Sequence, residues 1–261
     1  MPEGLQPNGE NGLIPSMKTI RTLLFCIRHR FSDRVPALLD QWPDGIHHRD
    51  RFGRNLLHFA AESNAGDIIP ELCRRGVDPK ARTRWGMTPL QWAAHCGAGV
   101  AADRFLALGF SADLWTCSAL GRKEALRSLL PAPQAKCAPP AVFPFPYRIG
   151  YGNATILKSR RCADRLAEAL YGAARNGHAE TLALLVRHGA DPNARGFFGA
   201  SALHWAALAG HLACMVLLLQ NQADAHALDE HFGKRPYHWA LDGNQLGAAK
   251  LLQVFDPTGL P

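Results

Sequence analysis

RFGRNLLHFAA, residues 51–61, recurs as RWGMTPLQWAA at residues 84–94, as FFGASALHWAA at 197–207 and as HFGKRPYHWAL at 231–241. The first two copies begin 33 residues apart and the last two 34 residues apart. Apolar segments and turns such as RRGVDPKAR and RHGADPNAR lie between the copies. A repeat of this length is typical of a solenoid, in which each unit buries its apolar face against the next unit.

The residues inside each copy predict two helices that follow a tight turn. Glycine at the tip, as in Gly53 and Gly86, can take the positive φ that a tight turn requires. Thr88 and Pro89 are typical of the start of a helix, because Thr caps free N–H groups and Pro needs no hydrogen bond there. The following segment spaces apolar residues three and four apart, which indicates a second amphipathic helix.

These residues resemble the ankyrin repeat, which reads roughly DxxGxTPLHxAAxxGHxxxVxxLLxxGADxNA over 33 residues. The resemblance implies an all-α, ankyrin-repeat α-solenoid of helix-turn-helix units with β-hairpin or turn fingers. The better copies are Asp50 to Arg82, Thr83 to Asp113, Glu168 to Arg195, Gly196 to Asp229 and Glu230 to Phe255. Two degenerate copies are Met17 to Arg49 and Asp113 to Leu130, the latter without its turn. No copy contains a complete TPLH motif.

The repeats divide the chain into five predicted segments. Residues 1–16 form a disordered tail, 17–130 and 164–255 carry repeats, 131–163 is an insertion, and 256–261 is a second tail. Prolines are dense between Pro131 and Pro146, which disfavours helix there. The insertion is either an enlarged finger of one continuous stack, the alternative we favour, or a boundary between two stacks.

Composition limits the class of protein. The chain is 47% apolar and contains no run of 18 apolar residues, and its N-terminus is polar. We therefore expect a folded protein that is neither secreted by a standard signal nor membrane-spanning. Its seven cysteines form no CxxC pair, which favours a reducing compartment such as the cytoplasm. The net charge of +7 favours acidic partners.

An aromatic residue precedes the tip glycine in four copies, and basic residues flank it. Aromatic residues and arginine dominate interface energies, so the tips are predicted to bind an extended acidic or apolar peptide on a concave groove. The alternative is that the rings only pack on one another. The residues predicted to contact a partner are Arg51, Phe52, Arg54, Arg84, Trp85, Met87, Phe197, Phe198, His231, Phe232 and Lys234.

A second aromatic position lies inside the first helix and is predicted to be core. It is occupied by Phe59, Trp92, Trp205 and Trp239. The resemblance implies that the TPLH histidines, His58, His204 and His238, brace the neighbouring finger. The remaining histidines have no cysteine or carboxylate at ligand spacing, so no metal site is predicted.

The sequence favours a binding module over an enzyme or a nucleic-acid protein. It has no GxSxG, no phosphate-binding glycine loop and no HExxH, and we expect no cofactor and no catalysis. An enzyme would need a pocket at the insertion, around Tyr147, Arg148, Tyr151 and Lys158. The basic residues Lys158, Arg160, Arg161 and Arg165 are interpreted as a solvated helix start, with nucleic acid as the minority alternative.

We therefore expect a monomeric scaffold, adaptor or inhibitor that holds a protein partner. An alternative is a host-directed bacterial effector that uses its repeats to bind a target. Arginines outnumber lysines 22 to 7, which either a GC-rich bacterial genome or a physical need would produce. Repeat scaffolds share one fold across unrelated functions, so the sequence does not name the partner.

Overall fold

The computed structural model describes residues 17–130, 162–196 and 199–255, and within these ranges the chain forms seven helix pairs and no β-strand. The all-α solenoid predicted from the repeat is confirmed. The pairs are α1 (Met17–Arg28) with α2 (Val35–Gln41), α3 (Leu56–Glu62) with α4 (Ile69–Arg74), α5 (Pro89–His95) with α6 (Gly99–Ala107), α7 (Leu114–Ala119) with α8 (Lys123–Leu129), α9 (Cys162–Asn176) with α10 (Ala179–Arg187), α11 (Ala202–Ala209) with α12 (Leu212–Gln220), and α13 (Pro236–Asp242) with α14 (Leu246–Phe255). A short 3-10 helix, Pro43–His47, follows α2.

The helices stack in two layers. The first helix of each pair packs on the first helix of the next, from α1 and α3 to α11 and α13. The second helices pack in the same order from α4 to α6 and from α8 to α14. The first helices approach closely because they meet through small side chains such as Ala60, Ala61, Ala93 and Ala94, which are fully buried.

Reciprocal hydrogen bonds start several of the first helices where the sequence places a capping residue. In α3 the Asn55 side chain accepts from the His58 N–H, and the His58 ring accepts from the Asn55 N–H. Thr88 and Gln91 make the same exchange at α5, where Pro89 begins the helix as predicted. Such a cap satisfies N–H groups that the helix itself cannot pair.

The fingers are hairpin turns between one pair and the next, and each is closed by very few bonds. In one finger Asp50 N–H donates to the Arg54 carbonyl at 3.0 Å, and Thr83 N–H donates to the Met87 carbonyl at the same distance in the next. Gly53 and Gly86 have φ values of +76° and +81°, so the predicted positive φ at the tips is confirmed. No finger within the described ranges forms a β-strand, so the fingers there are turns.

The fourth pair packs directly on the fifth, although 131–161 separates them in the chain. Helices α7 and α9 are in extensive contact, and Leu114 and Leu126 share one hydrophobic core with Leu170. Ser118 Oγ donates to the Ala169 carbonyl, and Asn176 Nδ2 donates to the carbonyls of two earlier units. The helices on either side of the insertion therefore share a core. The predicted tails, 1–16 and 256–261, and residues 131–161 of the predicted insertion lie outside the described residues.

Candidate functional site: the finger face

The finger face consists of the hairpin tips and the first-helix surface beside them, and its clearest feature is a stack of two fingers. The rings of Phe52 and Trp85 lie 5.4 Å apart at an interplanar angle of 23°. The Arg84 guanidinium carbon lies 4.6 Å from the Phe52 ring and 4.7 Å from the Trp85 ring. Arg51 lies 4.6 Å from the Phe52 ring. The two predicted tips thus form one cluster of two rings and two guanidinium groups.

Arg51 and Arg84 carry the uncompensated charge of this cluster. Both side chains are exposed, and neither forms an ion pair with any carboxylate in the described ranges. Each is instead held over an aromatic ring, an arrangement that fixes a cation without neutralising it. The tips therefore present positive charge on a flat apolar base.

Two of the predicted contact residues on these fingers have structural roles. Arg54 is largely buried and donates to Asp50 at 2.8 Å and to Glu62 at 2.7 Å, so its charge is neutralised. Met87 is only 8% exposed, and its side chain belongs to the core. Neither side chain is therefore available to a partner.

The last finger is built around Asp229. Its carboxylate accepts from the backbone of His231, Phe232 and Lys234 and from the Trp239 indole. Burial acts to raise the pKa of Asp229, but these hydrogen bonds together hold it below its usual value. Phe232 is 57% exposed and its ring lies 4.4 Å from that of His231.

The remaining predicted contacts are split between a paired lysine and residues that are not described. Lys234 is partly exposed and its Nζ lies 2.6 Å from Asp242, so its charge is largely compensated. Phe197 and Phe198 lie outside the described residues.

The second aromatic position is core in three units and differs in one. Phe59, Trp205 and Trp239 are at most 5% exposed, which confirms the prediction for them. Trp92 is only partly buried. It stacks on Trp85 at 5.6 Å with an interplanar angle of 9°, so it joins the tip rings to the first-helix layer.

Two of the three motif histidines brace the next finger, as the resemblance implied, whereas His238 in the last unit is exposed and pairs in the described residues only with the Arg235 N–H of its own helix start. His58 Nε2 lies 3.0 Å from the Met87 carbonyl oxygen, and His204 Nε2 lies 3.1 Å from that of Lys234. Burial lowers the pKa of both histidines to about 4. The third unit has Gln91 at this position, and its Nε2 donates to Asp113 because the fourth unit begins directly in its helix.

A group that sequence reasoning missed lies in the middle of the finger face. Arg175 Nη1 donates to His95 Nε2 at 3.0 Å and lies 3.3 Å from Tyr171 Oη. Its guanidinium carbon is 5.4 Å from the Trp205 ring. One signal was available in the sequence, since Gly172 takes the place that a large ring takes in most other units.

Reactive and metal-binding groups are not prominent in the described ranges. No cluster of three histidine, cysteine or carboxylate side chains there could hold a metal ion. Cys96 has some exposed surface, but burial of its thiol raises the pKa to about 11. Cys137 and the insertion residues Tyr147, Arg148, Tyr151, Lys158, Arg160 and Arg161 lie outside the described part of the chain.

The described helices also bear on membrane association. None of them combines the length and the apolar character needed to cross a bilayer.

Comparison with known proteins agrees with the architecture. A family model for ankyrin repeats, in three copies, matches residues 23–116 and 169–257, which is more than half of the chain. Ankyrin repeat domain-containing protein 63 of Homo sapiens and its Mus musculus counterpart are each 34% identical to this chain over 101 residues. The match covers 39% of this chain and 25% of each relative, so the chain spans about a quarter of the length of these relatives.

Proposed function

Since the chain belongs to the ankyrin-repeat family, whose repeats generally mediate protein–protein interaction, we propose that its finger face holds a protein partner. Proteins of this family are typically interaction modules without catalytic activity. The observation that carries the proposal is the cluster of Arg51, Phe52, Arg84 and Trp85, in which two exposed cations lie on two stacked rings.

The composition of this cluster suits a protein interface. Aromatic and arginine side chains are enriched among the residues that contribute most to binding, and lysine and small polar residues are depleted. Because ring contacts already hold the guanidinium groups of Arg51 and Arg84, little side-chain entropy remains to be lost on binding. A partner segment that brings carboxylates and apolar side chains together would satisfy both the charge and the rings.

The module acts by holding a partner and supplies no chemistry of its own. This makes it a scaffold, an adaptor or an inhibitor, working as a monomer through a single face. The partner is expected to extend across more than one unit, because the fingers that carry Phe52 and Trp85 form one continuous cluster.

A charge variant tests this function without removing the rings that hold the fingers together. The double variant R51Q/R84Q should lose captured partner in affinity purification from cells, followed by binding measurements with the purified partner. The control R104Q/R187Q removes the same charge from second helices, where neither arginine forms an ion pair with a described residue.

The two double variants separate face-specific binding from general charge. Wild-type and R104Q/R187Q protein should capture the same partner, and R51Q/R84Q should bind it at least tenfold more weakly with an unchanged thermal melt. Equal capture by all three proteins would show that the finger cluster is not the binding surface.

A further inference from the structure

The row of rings at the second aromatic position, inside the first helices, is interrupted at the fourth and fifth units. In each unit the ring position lies five residues before the left-handed residue at the end of the first helix. The occupants of this position, in order of units two to seven, are Phe59, Trp92, Thr116, Gly172, Trp205 and Trp239. Two consecutive units therefore lack a ring. At Gly172 a Cβ atom would lie 3.0 Å from the Cβ of Ala119, so α7 and α9 approach too closely for a larger side chain.

Arg175 occupies this interruption. It lies one turn after Gly172 on α9, is partly buried, and places its guanidinium between His95 of the third unit and Trp205 of the sixth. Stacked rings continue on both sides, since His95 stacks on Trp92 at 5.4 Å and Tyr171 contacts Trp205 at 5.0 Å. A cation thus stands where the row would otherwise have a ring.

Only one of the three guanidinium nitrogens of Arg175 forms hydrogen bonds within the described ranges. All of its hydrogen bonds run through Nη1, to the ring of His95 and the hydroxyl of Tyr171. Nε and Nη2 bond no residue of the described ranges, and no carboxylate of those ranges lies within 4.0 Å of Arg175. These two atoms form the edge of a guanidinium that takes a carboxylate through two parallel hydrogen bonds.

No carboxylate in the described part of the chain pairs with this charge. Burial and the charge of Arg175 lower the pKa of His95 to about 3, so the ring is neutral at physiological pH. Burial raises the pKa of Tyr171, so the phenol also stays neutral. Glu168 lies on the same helix two turns earlier and makes no ion pair with Arg175. A partly buried cation without a counter-charge is costly, and a bound anion would recover that cost.

We propose that Arg175, framed by His95, Tyr171 and Trp205, is a carboxylate-binding site that takes a Glu or Asp side chain of an extended partner segment. The inference rests on the proposed function and extends it, since the same segment would meet Arg84 and Arg51 on the neighbouring fingers. Nucleic acid fits this site less well. Phosphate backbones are bound by rows of exposed cations, whereas here one guanidinium is recessed among rings.

A defined peptide tests the site directly. The probe is a fluorescently labelled octa-glutamate peptide with an amidated C-terminus, so that only side-chain carboxylates can bind. Wild-type protein should bind it, and R175Q should bind at least tenfold more weakly. R187Q is the matched control, because it removes the same charge from the exposed surface of α10 and should bind like wild type. An octa-glutamine peptide should bind none of them.

A second variant and a competitor keep the result interpretable. R175K retains the charge but not the planar fork, so its affinity should fall between those of wild type and R175Q. Thermal melts by circular dichroism check that each variant is folded. If R175Q unfolds, R175K against R187Q decides the question. A single-stranded oligonucleotide that binds more tightly than the peptide and also depends on Arg175 would overturn the assignment in favour of nucleic acid.

The result of the peptide test for Arg175 can be distinguished from the result of the partner test for Arg51 and Arg84. If R175Q and R175K bind the peptide as wild type does while R51Q/R84Q still loses the partner, the carboxylate site is wrong and the finger cluster stands. If R51Q/R84Q retains the partner and R175Q loses the peptide, the carboxylate site exists but the proposed role of the fingers that carry Arg51 and Arg84 is wrong.

Discussion

His58 and His204 show how a single side chain can cap one helix and brace the next unit. Each ring pairs through Nδ1 with the residue at the start of its own helix and through Nε2 with a carbonyl of the following finger. Both rings are buried and must stay neutral to accept at Nδ1. The contacts that hold these units together therefore depend on the protonation state of imidazole.

This dependence has a definite sign. The pKa of each ring is about 4 in the folded chain and about 6.5 in the unfolded chain, so below pH 6.5 only the unfolded chain takes up these protons. Stability is therefore complete above about pH 6.5, falls as the pH drops toward 4, and is no longer affected by these groups below that. Each histidine accounts for about 3 kcal/mol over the whole window.

The variant H58Q should reduce the pH dependence of stability. Glutamine already performs the capping role at Gln91, so the helix start should survive the change. Urea unfolding at pH 7 and pH 5 should show that wild type loses about 2 kcal/mol more than H58Q between the two conditions. An equal loss in both proteins would mean that the His58 ring accepts a proton without unfolding.

At the scale of the helix, Gly233 and Gly243 differ in why glycine is required, one for its backbone conformation and the other for close packing. Gly233 lies at a finger tip with φ of +63° and has nothing within 4 Å of where a Cβ would stand. Gly243 ends α13 with an ordinary φ of −81°, but a Cβ there would overlap the carbonyl oxygen of Leu208 on α11. One glycine is required by its conformation and the other by the close approach of two helices.

The corresponding alanine variants should differ in cost. G233A should lower the free energy of unfolding by about 1 kcal/mol, since an L-residue is strained at positive φ. G243A should cost more, about 3 kcal/mol, because α13 must move away from α11. Chemical denaturation of both variants measures the difference. A larger cost for G233A would show that the two helices are not closely packed at Leu208.

Much of each element could be predicted from the sequence, because its signals are local. The tip glycines, the Thr88 and Pro89 start of α5 and the bracing histidines all belong to one repeat and act within it or on its neighbour. Trp92 and Arg175 could not be placed in the same way. Their surroundings depend on features that other units lack. The fourth unit has no finger, and the fifth unit has Gly172 where most units have a ring. The local motif of Met87 likewise says nothing of its burial between units.

At the scale of the whole molecule, the junction between the fourth and fifth units decides how the chain behaves as one body. Helices α7 and α9 share a core, and Asn176 Nδ2 donates to Ala94 at 2.8 Å and to Ala119 at 2.7 Å. One side chain therefore ties the third, fourth and fifth units together. Stacked repeats draw their stability from such interfaces, so a junction of this kind should couple the unfolding of both sides.

A cut in the chain tests this coupling. If a site for a specific protease is inserted within residues 131–161 and cleaved, the two fragments should elute together in size-exclusion chromatography and melt in one transition. The N176A variant should weaken this association, because it removes the two hydrogen bonds that Asn176 makes to the third and fourth units. Fragments that separate at micromolar concentration without any further mutation would mean that the chain consists of two independent stacks.

The row of rings on the finger face also has an optical consequence. Trp85 and Trp92 are nearly parallel and 5.6 Å apart, and Trp205 and Trp239 are 4.9 Å apart. Indoles this close exchange excitation, so light absorbed by one member of a pair is emitted by whichever member has the lower excited state. A molecule that touches a single ring should then change the emission of its neighbour. Because Trp205 and Trp239 are buried whereas Trp85 and Trp92 are only partly buried, the tryptophan spectrum of the unlabelled chain would report occupancy at the Trp85–Trp92 pair.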